Sequence, residues 1–165
     1  MFKRVLIANR GEIAVRVIRT LRELGVEAVA VYSTADRGAM HTRLADRAIC
    51  IGPPPAAESY LSIASIVAAA ETTGCEAIHP GYGFLAENPA FVRACADNDL
   101  VFIGPSADVM ERMGDKVRAK AEMRGASVPV VPGTDRPASV GEPGVERAFV
   151  RGRVHGHRLD PELVQ

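Results

Sequence analysis

The sequence has few cysteines, no charge imbalance and no long apolar run, and each absence argues against a class of protein. Its three cysteines, Cys50, Cys75 and Cys95, are widely spaced and form no Cys-x-x-Cys pair, which argues against a disulfide framework or a structural zinc site. We expect them to be buried, reduced thiols. The 20 basic and 20 acidic side chains cancel, so no overall charge draws the chain to nucleic acid or to a membrane surface.

No apolar stretch approaches the length of a membrane span. The apolar run near the N-terminus, residues 5–8, is far shorter than the roughly 18 residues of a spanning helix. It is also too short for the apolar region of a signal peptide. We therefore predict a cytoplasmic protein with no nucleic-acid or membrane partner. A length of 165 residues is enough for one domain with its own core.

As far as residue 103, short apolar runs alternate with segments whose apolar residues recur at the spacing of a helix. The runs predict strands at residues 5–8, 26–32, 48–51, 77–79 and 100–103. Segments between them carry apolar side chains at the spacing of a helix, most clearly at Ile13, Val17, Ile18, Leu21 and Leu24, ahead of Gly25. This alternation predicts an α/β fold of Rossmann type, with an open, mainly parallel sheet and helices on both faces.

The chain changes character beyond the last predicted strand. Two helices are predicted over residues 106–112 and 115–125. From residue 136 onward the chain has five Arg but no Lys or Ile, and its periodicity is weak. We predict that residues 136–165 form a poorly structured, disordered tail. Its His155 and His157 have no Cys or carboxylate partners at ligand spacing, so we predict no metal site.

Two segments follow predicted strands, at the carboxyl ends where open parallel sheets bind ligands. The first is Asn9-Arg10-Gly11, in which Gly11 permits a tight turn into the first helix. Glu12 suits the positive end of that helix. The turn lacks the Gly-x-Gly-x-x-Gly pattern of dinucleotide sites. It fits either a turn that packs the helix on the sheet or a direct ligand contact.

The second segment is His79-Pro80-Gly81-Tyr82-Gly83, which places an aromatic ring between two glycines. Pro80 fixes its own φ and removes one backbone donor. Glu87 follows closely and could reach the same cleft. The pattern fits a loop that binds a ligand, and it equally fits a surface loop with a satisfied histidine and a packed tyrosine.

Lys116 stands at the predicted start of a helix that Asp115 can cap. The helix dipole disfavours a cation at that end. A nearby anion, such as a nucleotide phosphate, would explain the placement. The alternative is an exposed lysine that tolerates a cost of about 0.3–1 kcal/mol.

Taken together, these segments resemble the N-terminal domain of biotin carboxylase, the ATP-dependent part of acetyl-CoA, propionyl-CoA and pyruvate carboxylases. The matching segments are residues 7–14, 33–37, 79–85, 87–88, 102–105, 113–116 and 128–135. Their conjunction in this order is specific, although no single segment is. The resemblance implies a pre-ATP-grasp fold. It also implies a ligase reaction in which ATP activates bicarbonate and the carboxyl group moves to N1′ of biotin.

The resemblance also implies roles for particular residues. Lys116 would contact an ATP phosphate, and Tyr82, Gly83 and Glu87 would border a cleft for biotin and bicarbonate. The implied cofactors are ATP, biotin on a carrier protein, and Mg²⁺ bound by a further domain. No catalytic residue is expected in this chain, because the family's catalytic arginine and metal-binding glutamates belong to that further domain.

The implied partners are a biotin carboxyl carrier protein, a carboxyltransferase and a second copy of the chain. Arg19 and Glu23, one turn apart on the first helix, lie on a face similar to one used for dimerisation in bacterial members. The choice of substrate, an acyl-CoA as in fatty acid biosynthesis or a keto acid, belongs to the carboxyltransferase.

The same resemblance divides the chain into an N-terminal domain over residues 1–112, a helix and extended linker over 113–135, and the divergent tail over 136–165. The family continues past residue 135 with a Gly-rich loop that covers ATP, and the tail holds no such segment. We therefore expect a truncated or frameshifted product that is inactive alone. Two rival hypotheses are the opening domain of another ATP-grasp ligase, and a non-catalytic binding or oligomerisation module that acts through the first helix.

Overall fold

The computed structural model describes residues 1–114 and 116–131, with the backbone alone at residues 116 and 117. The chain divides into two compact units, residues 1–114 and 115–165. The first unit contains the sheet and its helices. The described part of the second unit is one helix and the segment that follows it up to residue 131.

Strands and helices follow one another through the first unit. The strands are β1 (Arg4–Ile7), β2 (Glu27–Ser33), β3 (Arg47–Gly52), β4 (Ala77–His79) and β5 (Val101–Phe102). The helices are α1 (Gly11–Glu23), α2 (Met40–Leu44), α3 (Ile63–Thr73), α4 (Pro89–Asp97) and α5 (Ala107–Gly114). Short 3₁₀ turns occupy Thr34–Asp36 and Ala56–Glu58, and α6 (Lys116–Gly125) belongs to the second unit.

The strands form one sheet in the order β3-β2-β1-β4-β5, and each pairing is parallel. In the centre, Leu6 of β1 aligns with Val29 of β2 and with Ile78 of β4. The chain builds outward from β1 to β3, then returns to place β4 on the other side of β1. The strand order therefore reverses between β1 and β4, which is the switch point of a doubly wound sheet. The predicted open, parallel α/β fold is confirmed.

Apolar side chains cover both faces of the sheet. On one face, Val5 and Ile7 pack with Ile18 of α1. On the other face, Leu6 belongs to a cluster with Phe91 of α4 and with side chains of α3. Because successive strand residues point to opposite faces, the continuous apolar run of β1 serves both clusters. This arrangement confirms the prediction of helices on both faces.

The first helix shows why the sequence turns where it does. Gly11, its first residue, has a φ of +65°, a left-handed conformation that costs glycine little. Ala14 and Leu21 are buried against the sheet. The helix ends where the N–H of Gly25 donates to the carbonyl oxygen of Arg22 over 3.1 Å. The predicted boundaries of this helix agree with the structure to within about two residues, the usual uncertainty at helix ends.

The prediction of buried thiols is wrong for one cysteine. Cys75 and Cys95 are buried, whereas Cys50 is exposed. Cys50 lies on β3, an edge strand with a neighbour on one side only, so the sheet shields it less than the inner positions. The predicted tail over residues 136–165, with its two histidines, and the cap residue Asp115 lie outside the described residues. Within the described ranges, no helix combines the length and apolarity needed to cross a bilayer.

Candidate functional site

Two loops meet beyond the carboxyl ends of β1 and β4, the strands at the switch point. Ile7, the last residue of β1, pairs with His79, the last residue of β4. The N–H of Ala8 donates to the carbonyl oxygen of His79 over 2.9 Å and extends this pairing. The structure therefore confirms that residues 9–11 and 79–83 lie at one edge of the sheet.

Asn9 joins the two loops through its side-chain amide. Its Nδ2 donates to the carbonyl oxygens of Pro80, over 2.7 Å, and Tyr82, over 2.8 Å. Its Oδ1 accepts the N–H of Arg10 over 2.9 Å. Only 3% of Asn9 is exposed, and a buried amide without partners would be costly. The sequence marks the segment that contains Asn9 but not the bonds that Asn9 makes, because its partners are backbone carbonyls 71 and 73 residues away.

The second loop follows a left-handed path that few residue types adopt. Gly81, Gly83 and Phe84 have φ angles of +66°, +69° and +43°. A side chain on residue 81 would be blocked as well, since an ideal Cβ there would lie 2.7 Å from Nδ2 of Asn9. Phe84 has a Cβ, and for such a residue the left-handed conformation costs roughly 1–2 kcal/mol.

Phe84 is held by stacking against two neighbours. Its ring lies 5.0 Å from the ring of Tyr60, centroid to centroid, with 12° between the planes. The guanidinium carbon of Arg10 lies 5.4 Å from the Tyr60 centroid and 5.7 Å from the Phe84 centroid. Cation–π contacts at these distances are attractive. The first loop thus contributes Arg10 to the structure of the second.

Asp36 anchors this group from the end of β2. Its Oδ2 accepts the Tyr60 hydroxyl over 2.7 Å, the Ser33 hydroxyl over 2.9 Å and Nη1 of Arg10 over 3.2 Å. Burial opposes ionisation of Asp36, but these three donors outweigh it and hold its pKa below the ordinary value. Burial, together with the bond to Asp36, raises the pKa of Tyr60 to about 12. We call Arg10, Ser33, Asp36, Tyr60 and Phe84 the Asp36 cluster.

His79 is a satisfied residue of this loop. Its Nδ1 accepts the N–H of Gly81 over 3.0 Å, so that nitrogen carries no proton. Burial lowers the pKa of His79 below its ordinary value, which favours the neutral ring. The structure thus shows one ring nitrogen of His79 hydrogen-bonded to the backbone of its own loop.

Tyr82, Gly83 and Glu87, the residues predicted to border a cleft, are all exposed. Tyr82 is 61% exposed, which contradicts the alternative of a packed tyrosine. The N–H of Ala86 donates to the carbonyl oxygen of Gly83 over 2.8 Å, so the chain turns there and Glu87 follows directly. The described residues give Glu87 no ion-pair partner. That these side chains border a biotin and bicarbonate cleft stays a prediction.

Lys116 is the first residue of α6, and its backbone alone is described. It belongs to the second compact unit, whereas residues 79–83 belong to the first. That Lys116 contacts an ATP phosphate stays a prediction. Among the described residues, no three His, Cys, Asp or Glu side chains come close enough to hold a metal ion.

The outer side of α1 forms a second candidate surface. Arg19 and Glu23 are both exposed, and neither makes an ion pair within the part of the chain that the structure describes. A groove of about 430 Å³ runs along the same helix. Its lining is mostly apolar and includes Phe2, Val17 and Leu24.

Comparison with known proteins identifies the family. Residues 1–110 match the family model described as biotin carboxylase, N-terminal domain. The chain is 58% identical over 137 residues to biotin carboxylase of Pseudomonas aeruginosa, which covers 83% of this chain and 30% of that protein. It is 56% identical over 134 residues to biotin carboxylase 1 of Bacillus subtilis, which covers 81% of this chain and 30% of that protein. The chain therefore spans about 30% of the length of these relatives.

Solved structures agree with the sequence comparison. The biotin carboxylase of Campylobacter jejuni matches with a TM-score of 0.79 and 52% identity, over 82% of this chain and 30% of that one. The biotin carboxylase domain of a Hydrogenobacter thermophilus 2-oxoglutarate carboxylase matches with a TM-score of 0.81 and 48% identity, over 95% of this chain and 34% of that one. The resemblance inferred from the sequence motifs is confirmed. This chain belongs to the biotin carboxylase family, and its residues 1–110 correspond to the N-terminal domain of that family.

Proposed function

We propose that this chain supplies the N-terminal part of a biotin carboxylase site, in which ATP and bicarbonate carboxylate biotin on a carrier protein. One observation carries the proposal. The amide of Asn9 holds the second loop at the switch point of the sheet, and that loop presents Tyr82 and Gly83 to solvent. Ligands of open parallel sheets bind at this position. The proposed reaction class is ATP-dependent formation of a C–N bond.

The exposed part of the loop suits the ring system of biotin. The Tyr82 ring offers an apolar face with a polar hydroxyl at its tip. An added Cβ on Gly83 would meet no atom within 4 Å, so a ligand can approach the backbone closely there. The exposed carboxylate of Glu87 supplies hydrogen-bond acceptors for N–H groups. In this proposal these residues hold and orient the ligand.

We include ATP and Mg²⁺ in the proposal because of Lys116 and because of what one relative binds. The Hydrogenobacter thermophilus structure is a complex with MgADP, ADP and bicarbonate. Lys116 is proposed to contact an ATP phosphate, and one charge-assisted bond contributes about 1.5–3 kcal/mol. A millimolar Kd needs about 4.1 kcal/mol. We therefore expect the 165-residue chain alone to bind ATP more weakly than millimolar and to hydrolyse none.

The proposed partners are a carrier protein, a carboxyltransferase and a second copy of the chain. Two-fold symmetric contacts use the same patch on both copies. Arg19 and Glu23 carry opposite charges, are exposed and have no ion-pair partner in the described chain, so Arg19 of one copy can meet Glu23 of the other. The apolar groove along α1 would add buried area. The same surface favours the second candidate function, a non-catalytic oligomerisation module.

The cytoplasmic location and the link to fatty acid biosynthesis are parts of the proposal. One relative, 54% identical over 132 residues, is the chloroplastic biotin carboxylase of Arabidopsis thaliana.

Complementation tests the proposed function. The full chain is mixed with a separately produced fragment of the Pseudomonas aeruginosa enzyme that holds the part beyond its match to this chain. We expect ATP hydrolysis that depends on both bicarbonate and biotin, and neither component should show it alone. Tyr82→Ala should weaken the response to biotin, whereas Arg43→Ala, on the exposed side of α2, should leave it unchanged.

The complementation assay also separates the two candidate functions. Sedimentation of the chain alone and of the mixture shows which species form. Association without ATP hydrolysis contradicts the enzymatic proposal. Stable dimers of the chain that are inactive in the mixture favour the oligomerisation module, and Arg19→Glu should dissociate them.

A further inference from the structure

We propose that Asp36 is a positioning residue for the loop of residues 81–84. By holding Arg10 and Tyr60, it fixes Phe84 in the left-handed conformation and so places the adjacent Gly83 beyond the carboxyl end of β4. The consequence for ligand binding rests on the proposed function. The effect on the loop itself does not, and the two are tested separately.

The argument begins with the conformation of Phe84. A residue with a Cβ at a φ of +43° persists only where its surroundings determine it. The stack on Tyr60 supplies this constraint, because the two rings lie nearly parallel at 5.0 Å. Tyr60 itself is fixed in the core with 1% of its surface exposed.

Arg10 is the most exposed member of the Asp36 cluster, and Asp36 restrains it. The Arg10 side chain is 48% exposed, so a free guanidinium would sample solvent. The ion pair with Asp36, at 3.2 Å, holds it above both aromatic rings. Replacing Asp36 therefore releases the Arg10 guanidinium from Phe84 and removes one of the two hydrogen bonds that orient the Tyr60 ring.

The Tyr60 hydroxyl connects Asp36 to the end of β2. It donates to Asp36 over 2.7 Å and accepts the backbone N–H of Ser33 over 3.1 Å. Asp36 ends the 3₁₀ turn that follows β2. The end of β2, in addition to those of β1 and β4, therefore helps to hold the loop that follows β4. Local sequence patterns cannot predict this contact, because Tyr60 and Asp36 are 24 residues apart.

The loop is held at two points, one on each side of the exposed Gly83. Asn9 holds the carbonyl oxygens of Pro80 and Tyr82, and the Asp36 cluster holds Phe84. Gly83 lies between these points and has no side chain of its own to restrain it. Loss of the second fixed point should therefore free the segment from Gly83 onward, while the bonds to Asn9 persist.

Amide hydrogen exchange on the full 165-residue chain tests the placement. The Ala86 N–H, bonded to Gly83 over 2.8 Å, is the reporter. In Asp36→Ala we expect peptides covering residues 83–86 to exchange about tenfold faster, with β1 peptides changed about twofold or less. Asp36→Asn, which keeps an acceptor for Tyr60, should restore part of the protection.

Glu27→Ala is the matched control. Glu27 also forms ion pairs, with Arg4 at 2.6 Å and Arg47 at 2.9 Å, but it lies at the opposite end of β2. It should leave residues 83–86 protected. If Asp36→Ala accelerates exchange uniformly, or no more at residues 83–86 than the control does, the positioning role is wrong. Tyr60→Phe, which keeps the ring and the core volume, answers the same question if Asp36→Ala fails to fold.

The consequence for binding is measured in the complemented enzyme. Asp36→Ala should raise the KM for biotin about tenfold while changing kcat and the KM for ATP by about twofold or less. If a variant shows faster amide exchange at residues 83–86 alone but an unchanged KM for biotin, the proposed effect of the loop on biotin binding is wrong. If complementation yields no activity with the unaltered chain, the proposed function fails, and the exchange experiment still decides the role of Asp36 in the loop.

Discussion

The side chain of Asn9 occupies the space that a β-carbon on residue 81 would need. An ideal Cβ on Gly81 would lie 2.7 Å from Nδ2 of Asn9 and 3.1 Å from its Cβ and Cγ. The same Nδ2 holds the carbonyl oxygens on either side of Gly81, those of Pro80 and Tyr82. The two residues therefore depend on each other: the amide reaches both carbonyls because residue 81 has no side chain.

Gly81→Ala should lower the free energy of unfolding by about 2–4 kcal/mol, because it combines left-handed strain with displacement of the Asn9 amide. Urea denaturation measures the change. Gly83→Ala is the matched control, with a similar φ of +69° and no atom within 4 Å of the added Cβ, and it should cost about 1–2 kcal/mol. Equal losses in the two variants would show that the Asn9 contact contributes nothing.

Replacing Asn9 should be most harmful when the donor becomes an acceptor. Asn9→Ala removes two hydrogen bonds, a buried one to Pro80 and a partly buried one to Tyr82, which should cost about 2–3 kcal/mol. Asn9→Asp should cost more, since a carboxylate oxygen would face those carbonyls. Asn98→Ala is the control, because Asn98 also donates its amide to a carbonyl, that of Ala94 over 2.7 Å, but at an exposed position. Thermal or urea unfolding measures both losses of stability. If Asn98→Ala costs as much as Asn9→Ala, burial of the Asn9 amide is not the reason for its contribution.

The two described histidines should destabilise the fold in acid. Burial lowers the pKa of His41 and the pKa of His79 in the folded chain, so the unfolded chain takes up protons first, near pH 6.5. Stability is therefore complete above about pH 6.5 and falls as the pH drops, by up to about 1.4 kcal/mol per pH unit for each histidine. Urea unfolding from about pH 7.5 to about pH 5 measures the slope.

His41→Gln isolates one of these contributions. Nε2 of His41 lies 3.2 Å from the carbonyl oxygen of Val31, and a glutamine amide can donate to the same oxygen. Within the described residues, Nδ1 of His41 has no hydrogen-bond partner, so protonation there brings no compensating bond. The variant should show a smaller loss of stability between about pH 6.5 and about pH 5. If the dependence of the free energy of unfolding on pH is unchanged, His41 is not a source of the acid sensitivity.

The three thiols should differ in reactivity. Cys50 is exposed and Cys75 and Cys95 are buried. Burial raises the pKa of Cys75 and raises that of Cys95 to about 11, and the reactive species is the thiolate. One thiol should react with a disulfide reagent in the folded chain, and three after unfolding. Cys50→Ser should abolish the fast phase, whereas Cys95→Ser should leave it intact.

Local patterns in the sequence account for the strands and helices. The apolar run of β1 and the helical spacing in α1 are signals that neighbouring residues carry together. The strand order is less accessible, because the pairing of Leu6 with Ile78 joins segments far apart in the chain. The sequence therefore predicted a parallel sheet without its strand order.

The sequence predicts where the candidate site lies but not the contacts that hold its loops together. Two loops at strand ends are visible in the sequence, whereas the bonds from Asn9 to the second loop are not. Phe84 shows the limit most clearly, since a φ of +43° is expected of glycine and not of phenylalanine. Its conformation is set by Tyr60 and Arg10, which come from two other parts of the chain.

The central position of β1 has a consequence for how the protein is made. Of the described strands β1 is synthesised first, and its partner β4, Ala77–His79, comes much later. Until then one side of β1 has no strand beside it, and non-local pairings of this kind form slowly. A nascent chain stalled before β4 would offer chaperones an apolar edge, and the end of the sheet where residues 9–11 meet residues 79–83 would be among the last features to assemble.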